Sequence, residues 1–298
     1  LKPAPDIVFV TYDDLKQGDP DDGLAISILL DRGLNCTFAD WRNRDFPFEQ
    51  SRLVVLRSTW NYHLHQAEFI EWAKNVASHT ILKNSLALVQ WNHDKRYLHQ
   101  LSENGLRTVP TFYIEKDQPL PAFEKILESL HQPGEPISPR IVVKPSVGLS
   151  TFGVKKFDLS ESGGQQAARE HINQLAGKYC VMVQPFLAAV EDYGERALVF
   201  IDGKFSHGIR KSAFQHLAVA GEAGEARIEA TDDEIEFGRQ VLNAVPETPL
   251  YARVDMVPDT QGRQLLLELE LIEPSLFLQA QPGAAAKFAD AVQACLPV

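Results

Sequence analysis

Two short runs near the C-terminal end, Tyr251-Ala252-Arg253-Val254-Asp255-Met256 and Leu267-Glu268-Leu269-Glu270-Leu271, alternate apolar and polar residues almost without exception. Successive side chains on a strand point to opposite faces, so such alternation predicts paired strands with one dry and one wet face. Pro258-Asp259-Thr260-Gln261-Gly262-Arg263 between them is rich in turn formers. With Gln261-Gly262 as the hairpin tip, Asp255 lies opposite Glu268 and Arg253 opposite Glu270, all four on one face. Three crowded carboxylates repel one another unless positive charge lies among them. Arg253 offsets one, and a divalent cation is the simplest way to offset the rest. Oxygen-only ligands suit Mg²⁺. The alternative is a solvated outer face of an edge hairpin.

The first 90 residues or so alternate strand and helix, which predicts a parallel α/β domain. Strands are expected at Ile7–Val10, Cys36–Ala39, Leu53–Leu56 and Ile81–Leu82. A helix through Ala25–Leu30 is expected to be capped by Asp21-Asp22 and stopped by Gly33, with a second from Ala67 to Ala77. Ligands of such sheets bind beyond the carboxyl ends of the strands. Arg57-Ser58-Thr59-Trp60-Asn61-Tyr62 falls there, directly after the third strand. It is a candidate substrate loop, with Arg57 as a forked donor and Tyr62 as an aromatic wall. The alternative is a loop whose aromatic residues merely cover the sheet.

A second unit starts near Trp91. A helix from Asp94 to Asn104, carrying Lys95 and stopped by Gly105, precedes an extended Val109-Pro110-Thr111. A helix at Phe123–Leu130 follows, then a strand Arg140–Lys144. Lys144 stands at the edge of the loop Ser146-Val147-Gly148-Leu149-Ser150-Thr151-Phe152-Gly153, where a lysine and loop donors can meet an anion. No Gly-Lys-Ser/Thr closes this loop, so it is not a Walker A sequence. Strands near Val154–Phe157 and Cys180–Val183 come next, the latter running into Gln184-Pro185-Phe186-Leu187, with Glu191 beyond. The third unit opens with a hairpin turning at Asp202-Gly203, a dipeptide suited to a type I′ turn. That hairpin ends in Arg210 and Lys211, which can hold an anionic group. Ala218–Ala226 reads as mobile, and helices are expected near Asp232–Asn243 and Ala284–Ala294.

Forty acidic against twenty-nine basic residues give a formal net charge of -11, which disfavours a general nucleic-acid or anionic-membrane binder. The three cysteines are scattered and form no CxxC pair, so neither a disulfide framework nor a zinc site is expected. No apolar run reaches the length of a membrane span, and the polar Leu1–Asp6 start does not read as a signal peptide. The expectation is a cytoplasmic protein with a small-molecule substrate, no nucleic acid and no membrane, with room for a homodimer.

The order of these elements resembles the ATP-grasp superfamily of carboxylate–amine ligases over residues 1–280. Within it the chain is most similar to the glutathione synthetase/RimK-like branch that includes the cycloserine-forming (O-ureido-serine) cyclo-ligase. The phrases Arg57-Ser58-Thr59-Trp60-Asn61-Tyr62 and Leu267-Glu268-Leu269-Glu270-Leu271-Ile272-Glu273-Pro274 carry that likeness. The resemblance implies an α/β (α+β) fold in three parts: an N-terminal substrate domain (1–90), a central subdomain (91–184) and a C-terminal subdomain with the metal site (185–298). ATP would be held between the latter two. It further implies that Lys95 and Lys144 contact phosphates, with Ser146, Ser150 and Thr151 in the phosphate loop. Gln184, Pro185, Phe186 and Leu187 form the hinge that meets adenine, and Glu191 takes the ribose. Asp255, Glu268 and Glu270 would hold Mg²⁺, with Mn²⁺ able to substitute. Arg253 would steady the transferring phosphoryl group, and Arg210 and Lys211 would bind phosphate or substrate carboxylate. Arg57, Ser58, Thr59, Tyr62, Glu273 and Ser275 would face the substrate. Two departures stand out: the 146–153 loop has only two glycines, and Glu270 replaces an Asn found in many members. The implied reaction is phosphorylation of a carboxylate by ATP and attack of a nitrogen nucleophile on the acyl phosphate. A metabolite kinase and a non-catalytic ATP-binding regulator are the alternatives.

Overall fold

The computed structural model describes residues 4–131, 138–149, 152–212 and 224–297. The chain divides into two compact units, residues 1–93, 195–255 and 268–298 forming the first, and 94–194 with 256–267 the second. Among the described residues no helix is long and apolar enough to cross a membrane.

The first unit begins with β1 (Ile7–Thr11), β2 (Cys36–Asp40), β3 (Leu53–Leu56) and β4 (Ile81–Lys83), which form a parallel sheet in the order β2-β1-β3-β4. Helices α1 (Pro20–Asp31) and α2 (Gln66–His79) connect these strands, as alternation requires. Short apolar strands buried on both faces, such as Leu53–Leu56, are what parallel sheets use. The helix α3 (Leu86–Asn92) closes this segment. Asp21 and Asp22 do not cap α1. Asp19 does, its side chain accepting the Asp21 amide, while Asp21 and Asp22 are buried within the first turn.

In the second unit, α4 spans only Tyr97–Glu103. Lys95 therefore sits in a turn and not on a helix, because the Asp94 carboxylate accepts the Arg96 amide and drives a turn there. The strands β5 (Phe112–Ile114), β6 (Arg140–Pro145), β7 (Lys155–Asp158) and β8 (Val181–Pro185) form an antiparallel sheet in the order β5-β8-β6-β7. Helices α5 (Phe123–Ser129) and α6 (Gly164–Ala176) pack on one face of it, burying Ile141, Val143, Val181 and Val183 with Phe123, Ile126, Ala168 and Ile172. The period of two thus leaves Val142 and Lys144 on the other face. A short helix, α7 (Ala189–Asp192), carries Glu191.

A third sheet has the order β11-β10-β9-β12-β13, built from β9 (Glu195–Ile201), β10 (Lys204–Lys211), β11 (Glu225–Ile228), β12 (Tyr251–Pro258) and β13 (Gln264–Glu270). Asp202 and Gly203, at φ 50° and 69°, make the expected tight turn between β9 and β10. Of the stretch expected to be mobile, residues 218–223 lie outside the described residues, whereas Glu225 and Ala226 pair with Lys211 and Arg210 in a regular strand. The β12–β13 connection is a three-residue loop, Thr260–Gly262. The Asp259 amide bonds the Arg263 carbonyl at 2.8 Å and Gly262 takes φ 79°. A two-residue Gln261-Gly262 tip is therefore corrected, and the strand pairing counted from it does not follow from the turn. The remaining helices are α8 (Asp232–Asn243), begun by a Thr231/Glu234 capping box, and α9 (Ala284–Ala294). The core of the first unit gathers Phe9, Val55, Val199, Tyr251, Leu276, Leu278 and Phe288.

Candidate active site

In the first unit, β9, β10, β12 and β13 bring five charged side chains together. The Arg253 guanidinium donates to Asp255 through Nε (2.8 Å) and Nη2 (2.9 Å), a forked contact that fixes both groups, and it also donates to Glu270. Lys211 Nζ lies 2.7 Å from Asp255 Oδ2 and pairs with Glu195. Arg253 and Asp255 are almost fully buried, with side-chain exposures of 7% and 2%. Two cations thus face three carboxylates, and Glu268 is half-buried on the same strand as Glu270. The pKa directions follow from this imbalance. Burial pushes Glu270 and Glu195 up to about 7 despite Arg253 and Lys211 respectively. Asp255 pays the same burial penalty, yet Arg253 and Lys211 hold it well below the usual carboxylate range.

Of the residues expected here, Arg253, Lys211, Asp255 and Glu270 are brought together. Glu195 was not anticipated, because a charged residue at the start of a strand carries no signal until β9 is known to lie between β10 and β12. Arg210 lies on β10 with its Nη1 3.4 Å from Ser212 Oγ. The carboxylates are hard oxygen donors of the kind Mg²⁺ prefers. Among the described residues, however, no three His, Cys, Asp or Glu side chains gather in a metal-holding group, and Arg253 and Lys211 occupy Asp255 instead.

The loop after β3 departs from expectation. Arg57, Ser58, Thr59 and Tyr62 are all buried, Arg57 to 1% exposure. The Arg57 guanidinium donates to Asp22 at 2.7 Å and to the Pro274 carbonyl at 2.9 Å, and it stacks over Tyr251. Ser58 bonds Thr11, and Tyr62 packs on Phe69 with ring centroids 5.0 Å apart. These are the contacts of a brace, although Arg57 Nη1, Asp22 Oδ2 and Thr59 Oγ1 are buried without a hydrogen-bond partner among the described residues. The reason for the brace is Asp22, whose carboxylate enters the core at the start of α1 and needs a cation there.

Glu273 is buried and Ser275 partly exposed in the segment beyond β13. The segment's backbone is held by side chains: the Asn84 amide donates to the Leu271 carbonyl, the Trp60 indole to Glu273, and His207 Nε2 to Leu276.

In the second unit, Lys95 Nζ donates to the Gly148 carbonyl at 2.5 Å and its backbone amide to Ser146, tying it to the loop after β6. Ser146 is buried, and Ser150 and Thr151 lie outside the described residues. Lys144 is half-buried on the sheet face turned away from the helices. The Gln184 amide bonds Thr111, whereas Pro185, Phe186 and Leu187 line an apolar cavity of about 450 Å³ with Leu127, Leu130 and Ile141. Glu191 is gripped by Arg140 (3.1 Å) and Lys156 (2.9 Å), both of which lie over the Phe186 ring and hold its carboxyl below the usual range, Lys156 foremost.

Comparison with known proteins fits this geometry. Residues 7–84 match the family described as D-cycloserine synthetase DcsG, N-terminal domain. The cycloserine biosynthesis protein DcsG of Streptomyces lavendulae is 31% identical over 273 residues, covering 87% of this chain and 88% of that protein. The chain belongs to the ATP-grasp ligases, in the group of cycloserine synthetase. The crystal structure of D-cycloserine synthetase DcsG superimposes with a TM-score of 0.84 at 28% identity over 97% of this chain and 99% of that one. D-alanine–D-alanine ligase from Bacillus anthracis shares the fold at a TM-score of 0.67 and 16% identity, covering 98% of this ligase and 97% of that enzyme. The ligase is thus an enzyme of ATP-dependent carboxylate–amine joining, and it forms C–N bonds.

Proposed function

We propose that this ligase phosphorylates the carboxylate of a small, amino-acid-like substrate with ATP. A nitrogen of a second molecule, or of the same one, then attacks the acyl phosphate and releases phosphate. The observation that carries this reading is the Arg253–Asp255–Glu270–Lys211–Glu195 cluster, whose carboxylates outnumber its cations. A buried site with surplus anionic oxygen favours a bound cation. Asp255, Glu268 and Glu270 would hold Mg²⁺, which would neutralise phosphate charge when bound, and their gathering around it requires Asp255 to loosen its hold on Arg253 and Lys211.

The residues have distinct tasks. Acyl-phosphate chemistry needs positioning and charge neutralisation more than proton transfer. Arg253, with its forked donors, can steady the transferring phosphoryl group and then the oxyanion. Lys211 and Arg210 can hold phosphate or the substrate carboxylate. Lys95, Lys144 and the Ser146 loop serve the phosphates, the Gln184–Leu187 hinge serves adenine and Glu191 the ribose. Ser275, partly exposed, remains a substrate-facing candidate, while Glu273 is buried beside it. Functionally the chain is read in three parts, 1–90, 91–184 and 185–298. The cyclising activity suggested by the name of the DcsG relative makes an intramolecular reaction one form of this chemistry.

The test is incubation with ATP, Mg²⁺, hydroxylamine and a pool of amino acids that includes O-ureido-serine. Hydroxamate formed in step with ADP is the expected result. ADP release that no carboxylate stimulates would overturn the reading.

A further inference from the structure

The segment that follows β13 is held in an unusual way. Six consecutive carbonyls each face a hydrogen-bond donor from a different side chain. Leu271 is bonded by Asn84 (2.7 Å) and Glu273 by the Trp60 indole (3.0 Å), while Ile272 lies 2.9 Å from the Tyr251 hydroxyl, whose single proton it shares with the Leu56 carbonyl. Pro274 is bonded by Arg57 (2.9 Å), Ser275 by Arg253 (3.4 Å) and Leu276 by His207 (2.9 Å). The far end is fastened from the other polarity: the Asp21 carboxylate accepts the amides of Leu278 (2.7 Å) and Gln279 (2.9 Å). A regular strand would satisfy such carbonyls through a neighbouring backbone. Here the donors come from separate places along the chain, and Phe277 takes a left-handed φ of 50°.

His207 illustrates how specific the arrangement is. Its Nε2 faces a carbonyl, so Nε2 carries the proton, and Nδ1 accepts from Ser206. A β-bulge between Phe205 and His207 shifts the register of β10 there. Burial lowers the His207 pKa, which favours this neutral form.

We infer that Trp60, His207 and Arg57 are positioning residues of the ligase, setting the backbone of residues 273–276 at the exit of the acidic strand. The inference rests on the carboxylate–amine ligase reading above. Its link to chemistry is Arg253, which donates to the Ser275 carbonyl and also to Asp255 and Glu270. A shift of the segment pulls on the guanidinium at the centre of the charged cluster. Trp60, His207 and Arg57 need not touch substrate or nucleotide for their loss to be felt there. Arg57 and its neighbours then contribute to turnover from inside the protein, while the partly exposed Ser275 and Phe277 are left to present the segment outward.

The experiment uses the full chain with Trp60→Phe, which keeps a ring and removes the donor, and His207→Leu, with His207→Gln as the variant that restores an amide donor. Two readouts are taken: amide hydrogen exchange across residues 271–279, and carboxylate-stimulated ADP release with its kcat and its KM for ATP. Each lost hydrogen bond is expected to speed exchange in that segment by about fivefold or more. It should also lower kcat by about tenfold with KM for ATP changed less than about twofold, and His207→Gln should recover most of both. Unchanged exchange in Trp60→Phe and His207→Leu overturns the positioning role, whatever the reaction is. Faster exchange with unchanged kcat overturns its link to turnover. A wild type without carboxylate-stimulated ADP release fails the ligase reading instead, and the exchange arm alone then decides whether the segment is held from its carbonyl side.

Discussion

Arg57–Asp22 and Arg253–Asp255 are both buried arginine–aspartate pairs in the same unit, with closest contacts of 2.7 and 2.8 Å. Their surroundings differ. Arg57 has one carboxylate partner, one carbonyl and the faces of Tyr251 and Phe288, so its charge is matched and walled in by apolar rings. Arg253 meets Asp255 and Glu270 and shares Asp255 with Lys211, which in turn holds Glu195. The first pair is matched in charge and serves as a brace, although Asp22 Oδ2 and Arg57 Nη1 are buried without a hydrogen-bond partner among the described residues. The second belongs to a cluster with more negative than positive groups, which is the condition for recruiting a cation. Burial alone therefore does not distinguish the two pairs, whereas their charge balance does.

The contrast is broken most forcefully at the closed pair. Arg57→Met is expected to cost roughly 3–5 kcal/mol of stability, because Asp22 is left buried and unpaired. The double variant Arg57→Met/Asp22→Leu should regain most of that loss in urea unfolding. If it does not, the hydrogen bond to Pro274 matters more than the charge pair.

Next comes the open cluster. Glu268→Gln keeps the side chain's shape and removes one charge, so turnover with Mg²⁺ should fall by about a hundredfold or more. Stability without metal should stay within about 0.5 kcal/mol of wild type. Activity within a few-fold of wild type would remove Glu268 from the metal-holding role.

The smallest effect is a pH dependence. Glu195, held at about 7 in the fold against an ordinary 4.5, contributes stability that is fully present below 4.5 and is lost as pH rises through about 7. Glu195→Gln should therefore lose less stability than wild type between about pH 5 and pH 8 in metal-free urea titrations. An equal loss would remove Glu195 from the unbalanced cluster.

Much of this was legible in the chain itself. The parallel strands were visible as apolar runs between turn formers, and Asp202-Gly203 fixed the β9–β10 turn. Alternation alone put Arg253 and Asp255 on one face and Glu268 and Glu270 on one face of the next strand, but the register between the two was not legible, because the turn is one residue longer than the expected tip. Other features were hidden for physical reasons. Asp21 and Asp22 look like helix caps, but Asp19 before Pro20 takes that task, and the other two reach partners far along the chain. Arg57 stood where ligands meet parallel sheets, yet whether it points outward depends on Asp22 and Pro274, 35 and 217 residues away. Side-chain direction of that kind is set by tertiary neighbours, and local pattern does not encode it.

The carbonyl-held segment from Leu271 to Leu276 has a bearing on how this scaffold can diversify. Fastenings that recognise only peptide oxygens are indifferent to which side chain each residue carries. The identity of the partly exposed Ser275 can therefore change across descendants of this chain while the mount keeps its shape. Such a mount separates the inheritance of backbone geometry from the inheritance of side-chain identity.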